Sequence, residues 1–247
     1  MTLFTSRIRR FKPTLWLAAV ALAGGLLAGN GVALAAAAPT TGYNIVTRSG
    51  AVYSFGNAAY YGGLGDHHYP GRAVGLAETP GGLGYSILTA TGAIYSFGNA
   101  QYFGNMLDHH YAGVPIAIAA TSTGLGYAIL TTSGAVYNFG DSGYFGNLID
   151  HGYPGTAVSM TYSPVDGGYG ILTATGGLYS FGDFQYFGNM IDHHYKGTAL
   201  SIAESGTGNG YAIMARGGGL FTFGDQPYFG NMIDHGYPLT VAGISNT

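Results

Sequence analysis

The chain contains no cysteine and a single tryptophan, and only 8% of its residues are charged. Without cysteine there is neither a disulfide framework nor a lipid-modified thiol, so stability has to come from packing and from closure of the fold on itself. Glu and Lys are nearly missing, which removes two of the best helix formers. The low charge, set beside 47% hydrophobic residues, also excludes a disordered chain. What the sequence does hold is glycine and tyrosine, 45 and 21 of its 247 residues. Gly, Tyr, Thr and Ser together favour strands joined by tight turns, and the expected class is all-β.

Residues 1–35 differ from the rest. Arg7, Arg9, Arg10 and Lys12 form a positive stretch, 15–29 is apolar, and Ala33-Leu34-Ala35 supplies small residues in an A-x-A pattern. Together they read as a secretory signal peptide, followed by a short N-terminal linker at 36–41 and one repeat domain at 42–247. An uncleaved membrane anchor is the alternative, since apolar character continues to Ala38. Arg9-Arg10 hints at twin-arginine export. With the first 35 residues removed, Arg48, Arg72, Lys196 and Arg216 face eleven acids, a net charge of −7. Nucleic acid is therefore not an expected partner. The expectation is a soluble monomer, secreted or held at the cell surface, with no membrane segment after cleavage.

Tyr43, Tyr85, Tyr127, Tyr169 and Tyr211 follow one another at steps of 42 residues. Phe55, Phe97, Phe139, Phe181 and Phe223 keep the same step, as do Asp66, Asp108, Asp150, Asp192 and Asp234, and no insertion interrupts it. Five equivalent structural units follow. Within one unit, 85–89 and 93–97 read as a hairpin about Thr91-Gly92, 101–103 as a short aromatic segment, and 115–119 as a further strand. In that last strand large residues flank a small one, as Ile116 and Ile118 flank Ala117; Gly75, Ser159, Ser201 and Gly243 take the same place. A strand near the axis of a ring needs such a residue.

Four strands in about 42 residues make one propeller blade. The first unit lacks an inner strand, and the chain ends on a surplus one at 239–244. The predicted fold is a five-bladed β-propeller closed by the C-terminal strand. An open β-solenoid would need caps at both ends, and none is visible.

The repeated pattern GYxILTxxGAxYSFGxxxYFGN, with a turn such as Thr79-Pro80-Gly81-Gly82-Leu83-Gly84-Tyr85, resembles a β-propeller-like repeat of bacterial secreted and surface proteins. The usual form of that repeat is GYWLVxxDGGVFxFGDAxFxGS, and the likeness covers nearly all of residues 42–247. The resemblance implies export and a repeat-built, propeller-like domain, often beside a separate catalytic one, and no established activity. The chain departs from it in two respects. Asn44, Ser86, Ala128, Gly170 and Ala212 stand where the family has Trp, and the family pattern has no Asp-His loop.

All eight histidines lie in that loop: His67, His109, His151, His193 and His235 directly after Asp, with His68, His110 and His194 next to three of them. The candidate ligand-binding residues are Asp66 and His67; Asn105, Asp108 and His109; Asn147, Asp150 and His151; Asn189, Asp192 and His193; and Asn231, Asp234 and His235. Asn, Asp and His offer directional donors and acceptors and Tyr a flat apolar face, a combination suited to sugars, and weak sites in five copies gain avidity on a repetitive surface. A purely structural role, bracing turns and blades, is the alternative. Equivalent residues on neighbouring blades are expected about 10 Å apart, too far to share one zinc ion. Sugar hydrolysis needs two carboxylates in unlike surroundings, whereas the loop acids are near-equivalent and Glu78, Asp166 and Glu204 fall toward the opposite face. No GxSxG or HExxH motif occurs. The reading is a secreted, non-catalytic binding module without cofactor or metal, recognising a surface glycan, with a structural or protein-interaction propeller as the alternative.

Overall fold

The structure, a computed structural model, describes residues 43–165, 167–234 and 236. The segments read as signal peptide and linker, the C-terminal strand at 239–244, Asp166 and His235 lie outside the described residues. Fourteen strands follow in order: β1 (Tyr43–Val46), β2 (Val52–Phe55), β3 (Ala73–Glu78), β4 (Gly84–Thr89), β5 (Ile94–Gly98), β6 (Pro115–Ala120), β7 (Gly126–Thr131), β8 (Val136–Gly140), β9 (Ala157–Tyr162), β10 (Gly168–Thr173), β11 (Leu178–Gly182), β12 (Ala199–Glu204), β13 (Gly210–Ala215) and β14 (Leu220–Gly224). They form one two-stranded sheet, β1-β2, and four three-stranded antiparallel sheets, with no helix among the described residues. The architecture is all-β and propeller-like: the first strands β3, β6, β9 and β12 pack against one another in chain order.

The middle strand of each sheet carries the core. Every residue of β4, β7 and β10 is buried, so a Gly-Tyr-x-Ile-Leu-Thr run with no polar face is what the position requires. Its large side chains fill the space between neighbouring sheets, where Leu130, Val136 and Leu148 of one unit meet Met160, Tyr169, Ile171 and Phe181 of the next. In the first strand the small residue is required by the neighbouring strand. A Cβ on Gly75 would stand 3.2 Å from the Ile118 side chain of the neighbouring strand. Each of β3, β6, β9 and β12 also carries a register shift against its middle strand, which adds local twist.

One expectation is corrected. The aromatic segment at 101–103 is not a strand, and the full sheets have three strands rather than four. Its hydrogen bonds go elsewhere: the Phe103 N–H donates to the Tyr127 hydroxyl at 3.2 Å, and that hydroxyl donates to the Gly104 carbonyl at 2.6 Å. One buried side chain of the next sheet thus takes up a donor and an acceptor that a ladder would have used. Tyr85, Tyr169 and Tyr211 do the same for Tyr61 and Gly62, Phe145 and Gly146, and Phe187 and Gly188.

The segment then runs back to the end of the sheets where the second and third strands turn, and there becomes the Asp-His loop. Its Met or Leu tucks beneath that turn, the Leu148 N–H bonding the Gly134 carbonyl at 3.2 Å. A Cβ on Gly134 would lie 2.6 Å from Leu148 Cβ, and its φ is +87°, so the turn needs glycine on both counts.

Candidate functional site

The loop is held by a repeated side-chain arrangement. The Tyr102 hydroxyl donates to one carboxylate oxygen of Asp108, and Tyr60, Tyr144, Tyr186 and Tyr228 donate in the same way to Asp66, Asp150, Asp192 and Asp234. Asn105 Oδ1 accepts the Asp108 N–H at 2.9 Å and the Leu107 N–H at 2.8 Å, while its amide donates to the Tyr102 hydroxyl at 2.7 Å. Asn147 and Asn231 hold Asp150, Tyr144, Asp234 and Tyr228 likewise, and Asn189 Oδ1 accepts the Asp192 N–H. In the first unit Gly63 stands in place of Asn, and its N–H donates straight to Asp66 at 2.8 Å. The polar groups singled out from the sequence therefore meet within each loop, where much of their capacity is spent on fixing the turn.

The histidines divide into two kinds. His67, His109, His151 and His193 stack on the loop tyrosines Tyr69, Tyr111, Tyr153 and Tyr195 at 5.2–5.4 Å and lie 5.5–5.7 Å from Phe97, Phe139, Phe181 and Phe223 of the next sheet. His68, His110 and His194 have φ of 54–55°, and Gly152 and Gly236 occupy the same place with φ of 62° and 65°. That explains why His alternates with Gly there: the position is left-handed, open to glycine and tolerated by histidine. Among the described residues no three His, Asp or Glu side chains gather closely enough to hold a metal.

The residues the sequence reading missed are the tyrosines six places before each Asp. Tyr60, Tyr102, Tyr144, Tyr186 and Tyr228 are 46–53% exposed, although each is anchored by its hydroxyl. The signal was available as an invariant Tyr-x5-Asp spacing. Asp66 draws the Tyr60 pKa up to about 12 through their hydrogen bond, and Tyr144 reaches about 12 through burial and its bond to Asp150. Asp66 is held below the usual carboxylate range, first by the Tyr60 hydroxyl and then by the Gly63 N–H. In contrast, the loop tyrosine Tyr111 has its faces taken, by His109 on one side and Tyr137 on the other.

The other end of the sheets is built differently. Thr121 and Thr123 donate to Asp141, Ser205 and Thr207 to Asp225, and Thr79 to Asn99, each clamping a turn between first and second strands. Glu78 also lies there and accepts from the backbone and amide of Asn44 at 3.2 and 3.0 Å.

No protein-family model and no curated protein matches the chain. Among solved structures, it is similar to Chaetomium thermophilum Sqt1, described as bound to the N-terminus of the ribosomal protein L10. The TM-score is 0.44 at 13% identity, over 62% of this chain, which spans 46% of that one.

Proposed function

We propose that this is an exported, non-catalytic binding module that recognises a repetitive surface glycan through its Asp-His loops, on a five-bladed ring closed by the C-terminal strand. The observation that carries the reading is the half-exposed tyrosine of each unit, fixed by Asp and, in most units, Asn. A ring immobilised before binding loses little rotamer entropy when a sugar's C–H face settles on it. The outer carboxylate oxygen and the neighbouring imidazole edge then offer acceptors and donors to hydroxyls. Near-identical copies along one end of the sheets suit weak single sites and strong adhesion to a polymer.

The test is a glycan array followed by titration of any retained polysaccharide. Tyr102→Ala combined with Tyr144→Ala is expected to weaken polymer retention at least tenfold while leaving the other loops' monovalent affinity intact. An array without any retained glycan sinks the proposal. Protein recognition is the second reading, favoured by Leu107, Ile149 and Ile191, which stand 52–56% exposed at the tips of the same loops.

A further inference from the structure

The tyrosines that close three of the loops, Tyr69, Tyr111 and Tyr153, lie face to face with Tyr95, Tyr137 and Tyr179 of the following sheet. Ring centroids are 4.3, 4.2 and 4.4 Å apart, and the planes lie within 15° of parallel. In the fourth loop the same place is taken by Tyr195 on Phe221, at 4.3 Å. The loop member of each tyrosine pair is 40% exposed, so an oxidant can reach it. We propose that these three pairs are sites of intramolecular dityrosine formation, a covalent clasp between loop and next sheet in a chain that has no cysteine to supply one.

The oxidant class is hydrogen peroxide acting through a haem peroxidase. Each phenol gives up one electron and its hydroxyl proton, and the two phenoxyl radicals join through ortho carbons in a new C–C bond. The two ortho hydrogens then move to the oxygens and restore both phenols. In total two C–H bonds give way to one C–C bond, and two electrons and two protons pass to one peroxide, which leaves as two waters.

Stacking favours coupling within a pair because the second ring is already at contact, which turns a bimolecular encounter into a local one. In a biaryl the ring centres stand one bond plus two ring radii apart. Centroids 4.2–4.4 Å apart already match that spacing, so the rings need to turn rather than travel. Accessibility alone would select other residues, since Tyr102 and Tyr144 are 50% and 53% exposed.

The full chain, held dilute, is treated with peroxidase and a limiting amount of peroxide, and the cross-linked peptides are mapped. The expected product is monomeric and links Tyr69 to Tyr95, Tyr111 to Tyr137 and Tyr153 to Tyr179. Tyr111→Phe removes only its own link, and Phe221→Tyr adds a fourth, to Tyr195. The proposal is overturned if dityrosine forms mainly between chains or at Tyr102 and Tyr144, if none forms while free tyrosine couples, or if Phe221→Tyr adds nothing.

Discussion

Where β6-β7-β8 meets β9-β10-β11, Tyr169 is fully buried, with its hydroxyl on the Phe145 N–H and the Gly146 carbonyl. After β14 the corresponding phenylalanine, Phe229, is 84% exposed, and Tyr43, which the 42-residue register assigns to it, is 44% exposed. Both halves of a fifth junction are thus encoded, and at this one both residues are far more exposed than their counterparts. The difference teaches that the two residues are buried by the neighbouring sheet and not by their own. A Tyr at the start of a middle strand is a core residue only when the preceding segment lies across it.

Alkali should break the formed junctions together, with the largest effect. Tyr211 is pushed up to about 12 by burial, and Tyr85 and Tyr127 are raised for the same reason. The fold therefore favours neutral phenols: their contribution is complete below about pH 10 and is lost as pH rises toward 12. Phenolate absorbance should show a late phase coincident with loss of the β-sheet circular dichroism. A smooth titration that ends before the sheets unfold would contradict this packing.

A single junction is broken by Gly134→Ala, which forces a left-handed alanine into Leu148 and should cost about 2–4 kcal/mol in denaturant unfolding. Tyr127→Phe removes only the bridging hydroxyl and should cost about 1–3 kcal/mol, the penalty of orphaning a buried donor and acceptor. Tyr43→Phe is its sharpening partner. A cost like that of Tyr127→Phe means that the Tyr43 hydroxyl makes a fifth junction of the same kind, and no cost means that it does not. The smallest effect belongs to His110→Gly, expected to stabilise by up to about 1 kcal/mol by relieving a left-handed histidine, with Gly152 as the natural precedent. A destabilised variant would show instead that the His110 side chain contributes to the fold.

Much of this was legible in the sequence because the period is uninterrupted. Repeat length, the middle strand, the hairpin turn and the small residue of the first strand follow from positions such as Tyr127, Gly134 and Ala117 that must satisfy one geometry in every unit. The aromatic segment was misread as a strand because Phe103 has the composition of one, and its hydrogen-bond partner, the Tyr127 hydroxyl, lies 24 residues away. The repeated Asp-His motif was legible, whereas the left-handed backbone at His110 and the tyrosine brace on Asp108 were not. Tyr102, the exposed member of that brace, was read only as part of a short aromatic segment.

The hydroxyl of Tyr127, which grips the segment delivered by the preceding unit, also bears on how such a chain can be cut and rejoined. A unit cut at its sheet boundaries is not self-sufficient: Tyr85 grips the segment at Tyr61 and Gly62 from the preceding unit, while Phe103 and Gly104 of its own segment are gripped by Tyr127 of the next. Lengthening or shortening the chain by whole multiples of the period keeps each such grip between neighbouring units.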